Sequence, residues 1–141
     1  IQQAGLRAIV QGWDTGMQQL SLPPTIYAAS SMPHSWLLPY AAGIVHHGGF
    51  GTTSAGLRAG IPALVIPHIA AQFFWSQLVY GLGAGPKPIQ RTRLKPQNLV
   101  AALHELTHND RLRAAAAHLG EQIRAENGLE NAVRLIEETV S

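Results

Sequence analysis

The densest grouping of chemically able residues is Ile44-Val45-His46-His47-Gly48-Gly49-Phe50-Gly51-Thr52-Thr53. A short apolar run there turns into glycines and then into two hydroxyl residues. Glycines after a strand let the backbone come close to a ligand and adopt positive φ. A helix that follows presents unpaired N–H groups and the positive end of its dipole, and Thr52 and Thr53 add hydroxyl donors. Together these make a cradle for an anion of the phosphate kind. The segment is no P-loop, because no Lys precedes Thr52 or Thr53. It is a poor dinucleotide fingerprint, because Ser54 stands where a third Gly belongs and no acid lies about 20 residues on. His46 and His47 are neighbours, so on a strand they point to opposite faces. One turns towards the sheet and the other towards the loop mouth, where it can donate to a diphosphate.

A second grouping is His104-Glu105-Leu106-Thr107-His108, which reads as H-E-x-x-H. On a helix the i, i+4 spacing puts both imidazoles on one face for zinc, with Glu105 as base. Arg111 and Ala114 stand where the longer form of that motif has Gly and a third His. Glu126 or Glu130 would have to serve as third ligand, and Asn109-Asp110 looks like a helix break. A zinc peptidase is therefore the weaker alternative, and the expectation is no metal site.

Charge narrows the ligand class. No Asp or Glu lies between Gln18 and His104, whereas Arg58, Lys87, Arg91, Arg93 and Lys95 do. Such a segment suits an anionic small ligand and cannot host a pair of catalytic carboxylates. The whole chain carries only +2, and its cations form no continuous stripe, so nucleic acid is not an expected partner. The loop Arg91, Arg93, Lys95 leaves peripheral contact with a membrane surface open.

These groups need elements to position them. Leu6 to Gln11, Thr25 to Ala28, Gly43 to His46 and Ala63 to Ile66 read as strands, with a short one around Pro86 to Ile89. Helices are expected over His34 to Tyr40, Thr52 to Ala59 and Gln72 to Tyr80. Three more follow: from Pro96 to about His104, from a cap at Asp110 to Glu126, and from Leu129 to Val140. Leu129, Val133, Ile136 and Val140 form an apolar stripe on the last. Alternating strands and helices imply an α/β fold with a parallel sheet. Ligands in such sheets bind beyond the carboxyl ends of strands. The loops Gln11 to Gly16, Ser30 to His34, His46 to Thr53 and Pro67 to Gln72 converge there.

The 141 residues suffice for one domain, and 46% hydrophobic content supports a core. No apolar run approaches the ~20 residues of a membrane-spanning helix. Without Cys there are no disulfides, thiolate metal sites or Cys nucleophiles, and a cytoplasmic setting is the default expectation.

Several blocks share their order with a known family. They are Gly12-Trp13, Pro33-His34-Ser35-Trp36-Leu37, the His46 to Thr53 loop, Ala59-Gly60-Ile61-Pro62, Gln72-Phe73-Phe74-Trp75 and Gly85-Pro86-Lys87-Pro88-Ile89. From Leu6 to Ile136 the chain resembles the C-terminal, nucleotide-sugar donor-binding domain of family 1 glycosyltransferases, in particular the sterol glucosyltransferase-like subgroup. The resemblance implies a GT-B fold, in which two Rossmann-like domains face a cleft. It makes residues 1–141 a single donor-binding domain, incomplete at its N-terminus. It also implies an inverting, metal-independent transfer of a hexose from a UDP- or dTDP-sugar to a hydroxyl of a lipophilic acceptor, with no cofactor beyond the sugar nucleotide. His47 would contact the diphosphate, and Gly49, Gly51, Thr52 and Thr53 would hold the same phosphates. Met32 and Pro33 would lie on the base, Gln72 would bond sugar hydroxyls, and Trp13 would line the cleft. No catalytic residue is expected in this chain. The base belongs to the acceptor-binding N-terminal domain, so the chain alone is expected not to turn over. The family's usual acid before the sugar-binding Gln is Ala71 here, and the plant-type ribose-binding Glu is Ala55. A non-catalytic sugar-nucleotide module is the alternative reading.

Overall fold

The computed structural model describes residues 1–12 and 21–140. After a 3-10 turn at Gln2–Ala4 come β1 (Ala8–Gln11), β2 (Ile26–Ala29), α1 (His34–Leu37), β3 (Ile44–His46), α2 (Phe50–Ala59) and β4 (Ala63–Val65). Then follow α3 (Ala70–Gly81), a 3-10 turn at Arg91–Arg93, α4 (Pro96–His108), α5 (Asp110–Ala125) and α6 (Gly128–Val140). The arrangement is α/β, with parallel pairing throughout.

β1 pairs with β2 in register Ala8↔Ile26 to Gln11↔Ala29, and β3 pairs with β4 from Ile44↔Ala63 to His46↔Val65. The single sheet expected from sequence is thus two parallel pairs among the described residues, with no ladder joining them. The extended segment at Pro86 to Ile89 is not a strand. Its Ile89 N–H donates to Val65 O at 3.2 Å. Pro86 and Pro88 have no N–H, so a full ladder beside β4 cannot form.

β4 organises the core because its side chains alternate between faces. Ala63 and Val65 meet Leu57, Val79, Ala84 and Ala116 on one side. Leu64, fully buried, meets Ala4, Ala102, Leu103 and Leu106 on the other. An unbroken apolar strand with helices against both faces is the hallmark of a buried parallel sheet. On the first side α2 and α5 approach closely. Gly60 takes φ 74° at the C-cap of α2, and a Cβ added at Gly120 would stand 2.7 Å from Gly60 Cα. Only a residue without a side chain fits at that crossing.

Helix limits differ from the sequence expectation in informative places. The His34 to Tyr40 segment breaks after Leu37 into a 3-10 turn, where Pro39 lacks an N–H. α2 starts at Phe50, two residues earlier than expected, because Gly49 serves as its N-cap. α3 also starts two residues early, at Ala70. α4 continues through His108. The cap of α5 is Asn109, whose side chain accepts from Arg111 N–H at 3.0 Å, and not Asp110. Asp110 instead pairs with Arg113. α6 has the expected stripe, but Leu129, Val133, Ile136 and Val140 are all exposed.

Candidate functional site

The site forms where β3 and β4 end. β3 terminates at His46, and the chain then passes through Gly48 and Gly49 into α2. Gly48 takes φ 92°, and a Cβ there would meet Val65 Cγ1 at 2.8 Å. Both the backbone conformation and the space therefore require glycine.

The two histidines divide as their alternation demands. His46 is half-buried, and its Nδ1 accepts the Gly48 N–H at 3.0 Å. That assigns the proton to Nε2, which is buried without a hydrogen-bond partner. Burial first, then the neighbouring His47 and His34, lower its pKa from 6.5 to about 4. His46 is thus a neutral imidazole that shapes the loop. His47 is exposed, and its ring lies over Gly49: a Cβ added at Gly49 would stand 2.7 Å from His47 Nε2.

The first turn of α2 supplies the donors. A helix leaves its leading N–H groups unsatisfied. Those of Gly49, Phe50, Gly51 and Thr52 find no acceptor among the described residues. Gly51 is exposed, and a Cβ there would meet nothing within 4 Å, so its position opens to solvent. The Thr52 hydroxyl makes no hydrogen bond among the described residues. Thr53 differs from the expectation that it offers a hydroxyl to a ligand. It is buried, and both its N–H and its Oγ1 donate to Gly49 O at 2.9 Å. Its side chain closes the first turn from inside.

The β4 loop completes the mouth. Gln72 Oε1 accepts from His68 N–H at 2.7 Å and Ile69 N–H at 3.2 Å, capping α3. Its amide nitrogen has no acceptor among the described residues. The His68 ring lies 6.3 Å from that of His47, which brings a second exposed imidazole to the site. Sequence reasoning placed the Pro67 to Gln72 loop at this mouth but did not single out His68. Its only signal was its position directly after the proline that ends β4. Phe50 and Trp75 pack at 5.2 Å between ring centres and hold α2 against α3. Ala71 is exposed beside Gln72 and offers no acceptor.

The remaining predicted residues sit at the other strand pair. Gln11 Nε2 donates to Met32 O at 3.2 Å, tying the Met32-Pro33 loop to the end of β1. Met32 is half-buried and Pro33 exposed. Trp13 lies outside the described residues. His104 and His108 do share a face of α4, with ring centres 5.5 Å apart. His108 Nδ1 is engaged with Thr107 Oγ1 and His104 O. No third His, Asp or Glu joins them among the described residues, so the third ligand that zinc needs is missing.

A parallel α/β domain with a glycine turn, a mouth histidine and a bare helix N-terminus agrees with the donor domain of a GT-B glycosyltransferase, and the comparisons with known proteins show that class. Residues 8–138 match the family model described as "Erythromycin biosynthesis protein CIII-like, C-terminal domain", and the chain belongs to that family. It is 41% identical over 141 residues to a sterol 3-beta-glucosyltransferase of Yarrowia lipolytica, covering 94% of this chain and 10% of the relative. A sterol 3-beta-glucosyltransferase of Komagataella phaffii is 39% identical, over 94% of this chain and 11% of its own length. Among solved structures, the glycosyltransferase of kitacinnamycin superposes with a TM-score of 0.86 at 30% identity, covering 96% of this chain and 36% of that one. The chain therefore spans about a tenth of these curated relatives and about a third of the solved enzyme.

Proposed function

We propose that this chain is the donor-binding half of an inverting glycosyltransferase that moves a hexose from a nucleoside-diphosphate sugar to a hydroxyl of a lipophilic acceptor. One observation carries the reading: the unpaired N–H groups of residues 49–52 and the His47 imidazole converge on one opening, in a stretch without a carboxylate from residue 21 to 104. In the transfer, the acceptor oxygen forms a bond to the anomeric carbon as that carbon's bond to the β-phosphate oxygen breaks. The acceptor proton passes to a base in the acceptor-binding N-terminal domain, and the nucleoside diphosphate leaves with the bond's electrons. Charge thus grows on the phosphates in the transition state. Preorganised N–H dipoles, the Thr52 hydroxyl and His47 stabilise it with no call for a metal ion. Gln72 offers its free amide N–H to the sugar, and Met32 and Pro33 flank the base. Thr53 acts indirectly, by holding Gly49. The names of the relatives favour a sterol-like acceptor.

The test is calorimetry with UDP, UDP-glucose and dTDP on wild type and His47→Ala. Loss of one charge-assisted hydrogen bond weakens diphosphate binding by about tenfold. Equal binding by the variant overturns the role of His47. The exposed Ala71 favours a second reading, a sugar-nucleotide module that binds without transfer. Joining the chain to an acceptor half and assaying transfer separates the two.

A further inference from the structure

A cavity of about 310 Å³ lies on the other flank of α3 from this site. Phe73, Gln77 and Tyr80 line it from α3, at spacings that place them on one helical face. At 100° per residue that face is nearly opposite Trp75, the residue packed towards α2 and the glycine loop. The facing wall is the extended segment after Gly85. It is held along β4 by Ile89 N–H to Val65 O, and Arg91 N–H reaches Pro67 O at 3.4 Å. Lys87 and Arg93 enter the cavity from this wall. Asn98 braces the turn below: its Oδ1 accepts Lys95 N–H at 2.9 Å, and its amide donates to Arg93 O at 2.8 Å.

The lining has a consistent chemistry. Lys87 and Arg93 are charged, and no ion pair among the described residues involves either of them. The flanking Arg91 and Lys95 likewise form no ion pair among the described residues, and no carboxylate lines the cavity. The side chains of Gln77 and Tyr80 make no hydrogen bond within the protein among the described residues, which leaves their donors free. The rings of Phe73 and Tyr80 supply an apolar wall. The volume is at the lower end of ligand sites, ~300–1,000 Å³. It fits a phosphate group with a small body, and the phosphate needs just this lining: two cations, free neutral donors and no carboxylate.

We propose that this cavity is a second anion site, separate from the glycine loop, which binds a phosphate ester through Lys87 and Arg93 with its organic body against Phe73 and Tyr80. Two sources share that chemistry, a soluble phosphate ester and the headgroup of an anionic lipid. The probes are glycerol 3-phosphate, followed by calorimetry, and phosphatidylcholine vesicles with and without phosphatidic acid, followed by co-sedimentation, all on the intact protein. Lys87→Gln and Arg93→Gln each weaken the responding probe by about tenfold, the effect of one charge-assisted contact. Gln77→Trp fills the cavity without changing charge and abolishes binding. Arg91→Gln and Lys95→Gln remove equal charge outside the cavity and leave binding within about twofold. His47→Ala, which weakens the proposed diphosphate site, leaves binding in this cavity unchanged. All four substituted cations and Gln77 are exposed, so folding is preserved. A response to glycerol 3-phosphate identifies a soluble ligand, and a response to phosphatidic acid vesicles alone identifies a lipid. The proposal is overturned if neither probe binds, if Gln77→Trp binds normally, or if Arg91→Gln and Lys95→Gln weaken binding as much as the cavity variants.

Discussion

His46 links the shape of the glycine turn to pH. Its Nε2 carries the proton of the neutral ring and is buried without a partner, and its Nδ1 accepts the Gly48 N–H, so the folded protein takes a second proton, on Nδ1, only at a cost. Burial, with smaller contributions from His47 and His34, lowers the pKa from 6.5 to about 4. A lowering of that size corresponds to about 3 kcal/mol of preference for the neutral ring. The unfolded chain therefore binds the proton more tightly. The stabilisation is whole above pH 6.5, falls as pH drops towards 4, and does not decline further below that. His46→Asn isolates the effect. An Asn side-chain oxygen can accept from the N–H two residues on, as in an Asx-turn, but does not titrate. The variant keeps the turn and stays within about 1 kcal/mol of wild type at neutral pH. His46→Leu removes the acceptor, leaves the buried Gly48 N–H unpaired and costs about 1–3 kcal/mol at any pH. Urea unfolding across this pH range measures all three. Wild type loses up to about 3 kcal/mol relative to His46→Asn as pH falls from 6.5 towards 4. Parallel losses in wild type and His46→Asn would refute the reasoning.

Further predictions concern the backbone and the motif on α4. Gly48→Ala forces positive φ on a residue with a Cβ and a contact with Val65, and lowers the unfolding free energy by about 1–3 kcal/mol in urea melts. Gly120→Ala separates α5 from α2 at Gly60 and destabilises by a similar amount, about 1–3 kcal/mol, in thermal or urea melts. Ala71→Asp adds an acceptor beside Gln72 and strengthens UDP-glucose over UDP by about tenfold in paired calorimetric titrations. His104→Ala leaves both stability and metal content unchanged, because two imidazoles on one helix face make an incomplete zinc set; metal analysis and melting curves check this.

Much of this protein was legible in order along the chain. Ala63-Leu64-Val65 declared a strand buried on both faces, because no polar residue interrupts it. The glycine turn, the opposed histidines and the carboxylate-free stretch pointed to an anion before any tertiary contact was known, since each follows from residue type and a local period. What sequence could not decide depends on residues distant in the chain. Gln72 turned its oxygen to cap α3, and Thr53 spent its hydroxyl on Gly49, because the starts of α2 and α3 lie two residues earlier than propensity placed them. The unpaired Nε2 of His46 and the approach of His68 to His47 exist only once β3 and β4 lie side by side. The cavity beyond α3 brings together side chains of α3 and of the segment after Gly85, which are distant along the chain. Local chemistry chose the donors; the packing of strand ends chose which of them remain free.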